Sequence, residues 1–182
     1  MIDQHQIAVL FSGKLITRKR PMHVIEAIGS LAESVRQRFV AVFLGDGPER
    51  MAVEAAARRL NVPARILGFQ NQRMLSRYYH ASDMLMLPSA HETWGLVVNE
   101  ALHHGLPCVV SENVGCAPDL IRSGVTGEIV ARDSASSYGL ALTRVAERLE
   151  DASLPEKCRD QVGGHTVAKA AEGIALAYRS VI

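Results

Sequence analysis

Short apolar segments alternate with longer amphipathic segments along most of the chain. The short segments are apolar at consecutive positions, which predicts strands buried on both faces, as in a parallel sheet covered by helices. The predicted strands are residues 7–12, 39–45, 65–68, 83–88, 107–111 and 127–131. The predicted helices are residues 21–34, 48–60, 72–81, 95–104, 117–122, 134–150, 154–162 and 166–180. This order predicts a doubly wound, Rossmann-like α/β domain of about six strands with helices on both faces, the last helices covering the sheet and its edge.

Chain length and composition limit the classes of protein that are compatible with this fold. Residues 1–182 are enough for one domain that buries about 70% of its unfolded surface. A net charge of +1 gives no indication of a nucleic-acid partner. We expect no transmembrane segment, because no apolar stretch approaches about 20 residues, and residues 1–6 lack the features of a signal peptide. The unpaired cysteines Cys108, Cys116 and Cys158 favour reduced thiols and a cytoplasmic location.

Ligands of doubly wound domains bind in the loops that follow the carboxyl ends of the strands. The first such loop, residues 12–20, contains Gly13 and four cations, which are Lys14, Arg18, Lys19 and Arg20. Cations are disfavoured at the start of a helix, so their presence here indicates an anionic partner such as a phosphate group. A solvated basic loop explains the same residues equally simply. In the next loop, Gly45 permits either close approach of a ligand or a tight turn.

Two acidic residues flank the start of the helix predicted at residues 95–104. Glu92 lies in the preceding loop, and Glu100 lies eight positions later, at the edge of the helix packing face. We therefore expect both carboxylates to point toward the cleft above the sheet. The backbone N–H groups of residues 93–96 lie between them and are expected to be free for a sugar hydroxyl or a phosphate. The simpler alternatives are a helix-capping role for Glu92 and a solvated helix position for Glu100.

Taken in order, these loops resemble the C-terminal domain of glycosyltransferase family 4, whose members have the GT-B fold. The resemblance runs from about Ile7 to the C-terminus, and its most specific element is the Glu-x7-Glu motif of Glu92 and Glu100. The supporting elements are Gly13-Lys14 with Lys19, Gly45-Asp46-Gly47-Pro48, Pro88-Ser89, Gly105-Leu106-Pro107, Gly115-Cys116-Ala117-Pro118-Asp119 and Gly124-Val125-Thr126-Gly127.

The resemblance implies a role for each matching residue. Lys14 and Lys19 are expected to bind the donor diphosphate and Glu92 to contact the transferred sugar, which makes these three the expected catalytic residues. Glu100 is expected to hold the nucleotide ribose. The remaining expected donor-binding residues are Gly13, Gly45, Thr93, Trp94, Gly95 and Leu96. The resemblance implies that cations and a helix N-terminus stabilise the leaving group, so we expect neither a metal nor a cofactor.

The sequence departs from the family pattern in the cations and in length. Lys14 stands where the family more often has Arg, and Arg20 stands where Gly commonly follows the lysine, so we expect altered diphosphate contacts. GT-B enzymes have two Rossmann-like domains, and the acceptor-binding N-terminal one is expected before Ile7, which only six residues precede.

The resemblance therefore implies the donor-binding half of a retaining glycosyltransferase that moves a hexose-type sugar from a nucleoside diphosphate sugar to an unknown acceptor. We expect the isolated chain to bind the nucleotide-sugar but to be inactive until the N-terminal domain is supplied in cis or in trans. A non-catalytic nucleotide-binding or interaction module and one subunit of a split transferase are the alternatives. We expect a cytoplasmic location, with peripheral association at the inner membrane through the missing domain as a further option.

Overall fold

The structure of the protein, a computed structural model, describes residues 6–181. Residues 1–5 and 182 of the predicted domain lie outside this range. A six-stranded parallel sheet with the order β3-β2-β1-β4-β5-β6 forms the centre of the fold. The strands are β1 Ile7–Ser12, β2 Phe39–Leu44, β3 Ala64–Ile66, β4 Met84–Leu87, β5 Cys108–Ser111 and β6 Gly127–Val130. The winding changes direction between the neighbouring strands β1 and β4, which is the topological switch point of a doubly wound sheet.

The helices follow the predicted order. They are α1 Met22–Gly29, α2 Glu33–Arg36, α3 Arg50–Arg59, α4 Gln72–His80, α5 Leu96–His103, α6 Ala117–Leu120, α7 Ala135–Ala146, α8 Leu154–Val162 and α9 Val167–Ser180, with a 3₁₀ turn at Thr17–Lys19. The single helix predicted over 21–34 is wrong. The Ser30 hydroxyl donates to the Ala27 carbonyl at 2.7 Å, and Ala32 is extended with ψ 146°, so the chain leaves α1 before α2 begins.

Helix α3 begins two residues later than the start predicted at Pro48. Glu49 donates its N–H to the Leu15 carbonyl at 3.1 Å, and Arg50 donates to Gly47 at 3.1 Å. Pro48 and Glu49 therefore form a turn that is fastened to the loop after β1. This turn brings the first two loops of the carboxyl edge together.

The core consists of two apolar layers, one on each face of the sheet. Leu10 and Leu85 belong to one layer, which packs against α5 and α8, whereas Val9 and Met84 belong to the other, which packs against α1, α3 and α7. Successive strand residues alternate between the faces, so a continuous apolar strand fills both layers. The predicted doubly wound α/β fold with helices on both faces is confirmed.

The last three helices differ in how far they cover the sheet. Helix α7 buries Tyr138 and Leu142, and α8 buries Cys158, as predicted for helices that cover the sheet. In α9 no residue is buried, so the prediction that it covers the sheet is wrong. Within the described range, no helix combines the length and the apolar character needed to cross a membrane.

Candidate functional site

Three loops meet at the carboxyl edge of the sheet, beside the switch point between β1 and β4. They are residues 12–20, 45–48 and 88–95, which we call the upper loops. The backbone N–H of Ala90 donates to the carbonyl of Arg18 at 2.8 Å, which joins the loop after β4 to the loop after β1. Residues from distant parts of the sequence are thereby held in one place, at the position where doubly wound domains bind ligands.

The loops after β1 and β2 cross at a distance that only glycine allows. The Gly13 N–H donates to the Leu44 carbonyl at 2.9 Å. A Cβ on Gly45 would lie 1.9 Å from the Gly13 carbonyl oxygen, and Gly45 has φ +147°. A side chain at Gly45 would therefore force the two loops apart. The crossing of the two loops is therefore enough to explain a glycine at position 45, which is a predicted site residue.

Lys19 and Glu92, both predicted site residues, form a direct ion pair. The Lys19 Nζ lies 2.9 Å from the Glu92 Oε2, and the two side chains are 16% and 17% exposed. The Lys19 side chain packs over Gly13, since a Cβ on that glycine would lie 3.2 Å from the lysine Cδ. The Glu92 carboxylate is thus held over the end of β1, and its charge is balanced from within the chain.

The other cations of the first loop are mostly paired as well. The Arg18 Nη1 lies 3.7 Å from the Glu92 Oε2, and the Arg20 Nη1 lies 2.7 Å from the Asp133 Oδ2. Among the described residues, Lys14 alone of the four cations has no ion-pair partner. Two internal carboxylates, those of Glu92 and Asp133, therefore balance part of the charge of this basic cluster, and the anionic partner remains a prediction.

Lys14 lines a cleft of about 360 Å³ beside the upper loops. Phe69, which is 83% exposed, lies at the rim of this cleft and was not predicted as a site residue. It lies three residues after the end of β3, so the rule that ligands bind at the carboxyl ends of strands was the available signal. The residues that line the cleft are Ser12, Gly13, Lys14, Leu44, Gly45, Asp46, Phe69, Gln70 and Leu75.

Free backbone donors lie at the start of α5, between the two acids. Among the described residues, the N–H groups of Thr93, Trp94, Gly95 and Leu96 donate no hydrogen bond. Gly95 has φ +103°, and a Cβ there would lie 2.9 Å from the Val114 Cγ1. The chain therefore turns sharply into α5 with its first N–H groups unpaired, an arrangement that favours negatively charged groups.

The side chains of Trp94 and Leu96 lie in a different place from their backbone groups. The Trp94 Nε1 donates to the Asn99 Oδ1 at 2.8 Å, and its ring centroid lies 6.1 Å from that of His165. Trp94 and Leu96 line a second cavity, of about 410 Å³, together with residues of the segment 164–170. The role predicted for these two residues is a contact through their backbone groups, and their side chains are not needed for it.

Glu100 lies on α5 and contacts Tyr79, which the sequence did not predict as a site residue. The Tyr79 hydroxyl donates to the Glu100 Oε2 at 2.6 Å, and Tyr79 is 1% exposed. Burial is the first cause, and the hydrogen bond to Glu100 the second, of a pKa of Tyr79 above its ordinary value, so the phenol stays protonated. The hydroxyl of a buried tyrosine normally has a hydrogen-bond partner, so a tyrosine at a core position of α4 was the signal that a polar side chain lies nearby.

The loop that carries Glu92 is paired with the loop after β5. The Glu92 N–H donates to Asn113 at 3.1 Å, the Gly115 N–H donates to Glu92 at 2.9 Å, and the Cys116 N–H donates to Trp94 at 2.9 Å. Burial raises the pKa of Cys116 to about 12, and this thiol packs in the apolar layer that contacts α5. Across the described part of the chain, no three His, Cys, Asp or Glu side chains are grouped to hold a metal ion.

Residues 2–162 match the family model for glycosyl transferases group 1. The chain belongs to this family. D-inositol 3-phosphate glycosyltransferase from Actinosynnema mirum is 32% identical over 175 residues, which cover 90% of this chain and 40% of that protein. The predicted relationship to the C-terminal domain of GT-B glycosyltransferases is therefore confirmed.

Solved structures share the fold of this chain. WaaG, a glycosyltransferase involved in lipopolysaccharide biosynthesis, superimposes with a TM-score of 0.76 at 27% identity, over 89% of this chain and 44% of WaaG. HepE of Anabaena, solved with UDP and glucose, gives a TM-score of 0.80 at 21% identity, over 97% of this chain and 49% of HepE. The chain spans less than half the length of each of these three proteins.

Proposed function

We propose that the chain binds a nucleoside diphosphate sugar at the upper loops and takes part in the transfer of its hexose-type sugar with retention. The observation that supports this best is the ion pair of Lys19 and Glu92, 2.9 Å long and adjacent to the free N–H groups of residues 93–96. A cation, a carboxylate and backbone donors at one helix N-terminus suit a ligand that carries both phosphates and hydroxyls.

The ion pair has a direct use in this proposal. Lys19 exchanges Glu92 for a diphosphate oxygen, and the released Glu92 carboxylate accepts hydrogen bonds from the sugar hydroxyls. Lys14 supplies a second cation from the cleft wall. Together with the N–H groups at the start of α5, these cations stabilise the charge that develops on the departing nucleoside diphosphate, so the step needs no metal ion.

Glu100 provides the second carboxylate of the proposed site. It lies in the second turn of α5 and accepts a hydrogen bond from the Tyr79 hydroxyl. A carboxylate accepts hydrogen bonds from vicinal hydroxyls, which suits the ribose of a nucleotide whose diphosphate lies at Lys14 and Lys19. Both acids bind and orient the donor in this proposal, and neither acts as a nucleophile.

We further propose that the acceptor is bound by a domain other than the one described. The chain covers 40% of the length of its relative from Actinosynnema mirum, which leaves room in such a protein for a second domain. Residues 1–182 would then bind donor but transfer no sugar alone. The same domain would carry any peripheral association with the inner membrane, and a cytoplasmic location suits a donor made in the cytoplasm.

A panel of nucleotides tests the proposed binding activity. UDP is the first probe, since HepE was solved with it, followed by GDP and ADP. At 100 times its Kd, a ligand adds about 2.7 kcal/mol to the free energy of unfolding, which is several degrees in Tm. Lys14→Ala combined with Lys19→Ala should abolish the shift.

The panel also separates the alternatives. A folded chain that responds to none of the nucleotides would favour a non-catalytic interaction module. A shift that survives the double lysine substitution would contradict the diphosphate assignment. Robust sugar transfer by the purified chain alone would show that no second domain is required.

A further inference from the structure

The Glu100 side chain is held by a residue from a helix outside the upper loops. Tyr79 lies on α4, and its hydroxyl donates to the Glu100 Oε2 at 2.6 Å. The tyrosine is 1% exposed and belongs to the apolar layer that packs against α5. Its position is therefore determined by packing, whereas the carboxylate it contacts is half-buried and borders solvent.

His104 strengthens this arrangement at the end of α5. Its ring stacks on Tyr79 with centroids 5.0 Å apart. Its Nδ1 lies 2.7 Å from the Glu100 carbonyl oxygen, and its Nε2 lies 3.0 Å from the Ser76 Oγ. The tyrosine ring is thus fixed between the core and a histidine that bridges α4 and α5, which leaves its hydroxyl little freedom of position.

We propose that Tyr79 is a positioning residue for Glu100, holding one carboxylate oxygen so that the other is presented to the ribose hydroxyls of the donor. This inference rests on the proposed function. A glutamate side chain without such a contact loses rotational freedom about several bonds when the ligand binds, and this loss of entropy lowers the affinity. Because Tyr79 already holds the Glu100 side chain in the folded chain, less conformational entropy is lost when the ligand binds. As a neutral donor, it leaves the negative charge of Glu100 available to the ligand.

Tyr79→Phe tests the inference because it removes the hydroxyl and keeps the ring. Binding is measured by calorimetry for UDP, GDP and ADP, each beside its 2′,3′-dideoxy analogue, which lacks the ribose hydroxyls. The Kd of the analogue divided by the Kd of the nucleotide reports the contribution of those hydroxyls. We expect this ratio to be about tenfold lower in Tyr79→Phe than in the wild-type chain. This factor is near the lower end of the contribution of a hydrogen bond to a charged group.

Two further variants separate positioning from a general structural effect. Tyr138→Phe removes a hydroxyl from an equally buried tyrosine in the opposite core layer and should leave the ratio unchanged. Glu100→Gln should lower the ratio as Tyr79→Phe does. In the Glu100→Gln background, Tyr79→Phe should have no additional effect, because the two residues act through one contact.

Each result decides the inference. An unchanged ratio in Tyr79→Phe, or equal losses for both ligands of a pair, would overturn it, as would an effect that persists in the Glu100→Gln background. A wild-type chain that binds the nucleotide and its dideoxy analogue equally would overturn the ribose assignment of Glu100 and leave the diphosphate assignment standing. Absence of nucleotide binding by the wild-type chain would overturn the proposed function itself.

Discussion

The upper loops and helix α9 show opposite relations between regularity and packing. The upper loops are largely irregular, yet their conformation is fixed by close contacts, such as Gly45 against the Gly13 carbonyl and Lys19 against Glu92. Helix α9 is regular over 14 residues, yet none of its residues is buried. Regular secondary structure is thus no measure of how firmly a region is held; the number of partners outside the segment decides that.

The upper loops and helix α9 also differ in how far their ion pairs are exposed to water. Both regions contain a lysine–carboxylate pair with a distance of 2.9 Å, Lys19 with Glu92 in the upper loops and Lys169 with Glu172 in α9. The first pair is 16% and 17% exposed, and the second is 64% and 59% exposed. Water screens the second pair strongly and the first only partly, so equal distances correspond to unequal contributions to stability.

A methyl group added to a glycine in each region should give the largest difference. In Gly45→Ala the new Cβ meets the Gly13 carbonyl oxygen and the backbone keeps an unfavourable φ. We expect a loss of about 3 kcal/mol or more in the free energy of unfolding, measured by urea denaturation. Nucleotide binding should be lost with it, because the loop after β1 must move.

Gly173→Ala in α9 is the matched control. A Cβ at Gly173 meets nothing within 4 Å. Alanine favours a helix over glycine by about 0.5–1 kcal/mol, so helical content should rise slightly while the urea midpoint stays nearly constant. Equal effects of the two substitutions would show that the crossing of the first two loops does not constrain the fold.

Breaking the two ion pairs should give a smaller difference in the same direction. Glu92→Gln keeps the size of the side chain but leaves the mostly buried Lys19 without its charged partner. We expect a loss of about 1–2 kcal/mol, between the values for exposed and buried pairs. Glu172→Gln should change stability by less than about 0.5 kcal/mol. Similar losses for both, measured by urea denaturation at one salt concentration, would contradict the difference in screening.

The sequence determined the fold and the neighbourhood of the site, but not its internal contacts. Apolar strands alternating with helices were sufficient to predict the doubly wound sheet, because burial on both faces leaves few other arrangements. Gly45 lies where two loops cross closely, whereas its predicted contact with a ligand stays a prediction. The pairing of Arg20 with Asp133 was beyond prediction, since it joins residues far apart in sequence through loop geometry.

Tyr79 and α9 show two further limits of the sequence pattern. Tyr79 occupies an apolar position of an amphipathic helix, and nothing in its spacing distinguishes a tyrosine that only packs from one that also holds a carboxylate. In α9 the amphipathic spacing predicted a covering helix, because periodicity shows that a helix has an apolar side but not which surface that side meets.

Replacing an apolar residue of α9 by a charged one should have the smallest effect. Ile174 is 72% exposed, so Ile174→Asp removes few contacts and leaves the new carboxylate in water. We expect the free energy of unfolding to change by less than about 0.5 kcal/mol, whereas Ile28→Asp in α1 should prevent folding, because it buries a charge without a partner. If Ile174→Asp instead lowers the urea midpoint substantially, α9 packs against the body of the domain in solution. The contrast between a fixed loop cluster and an unsupported helix would then have to be abandoned.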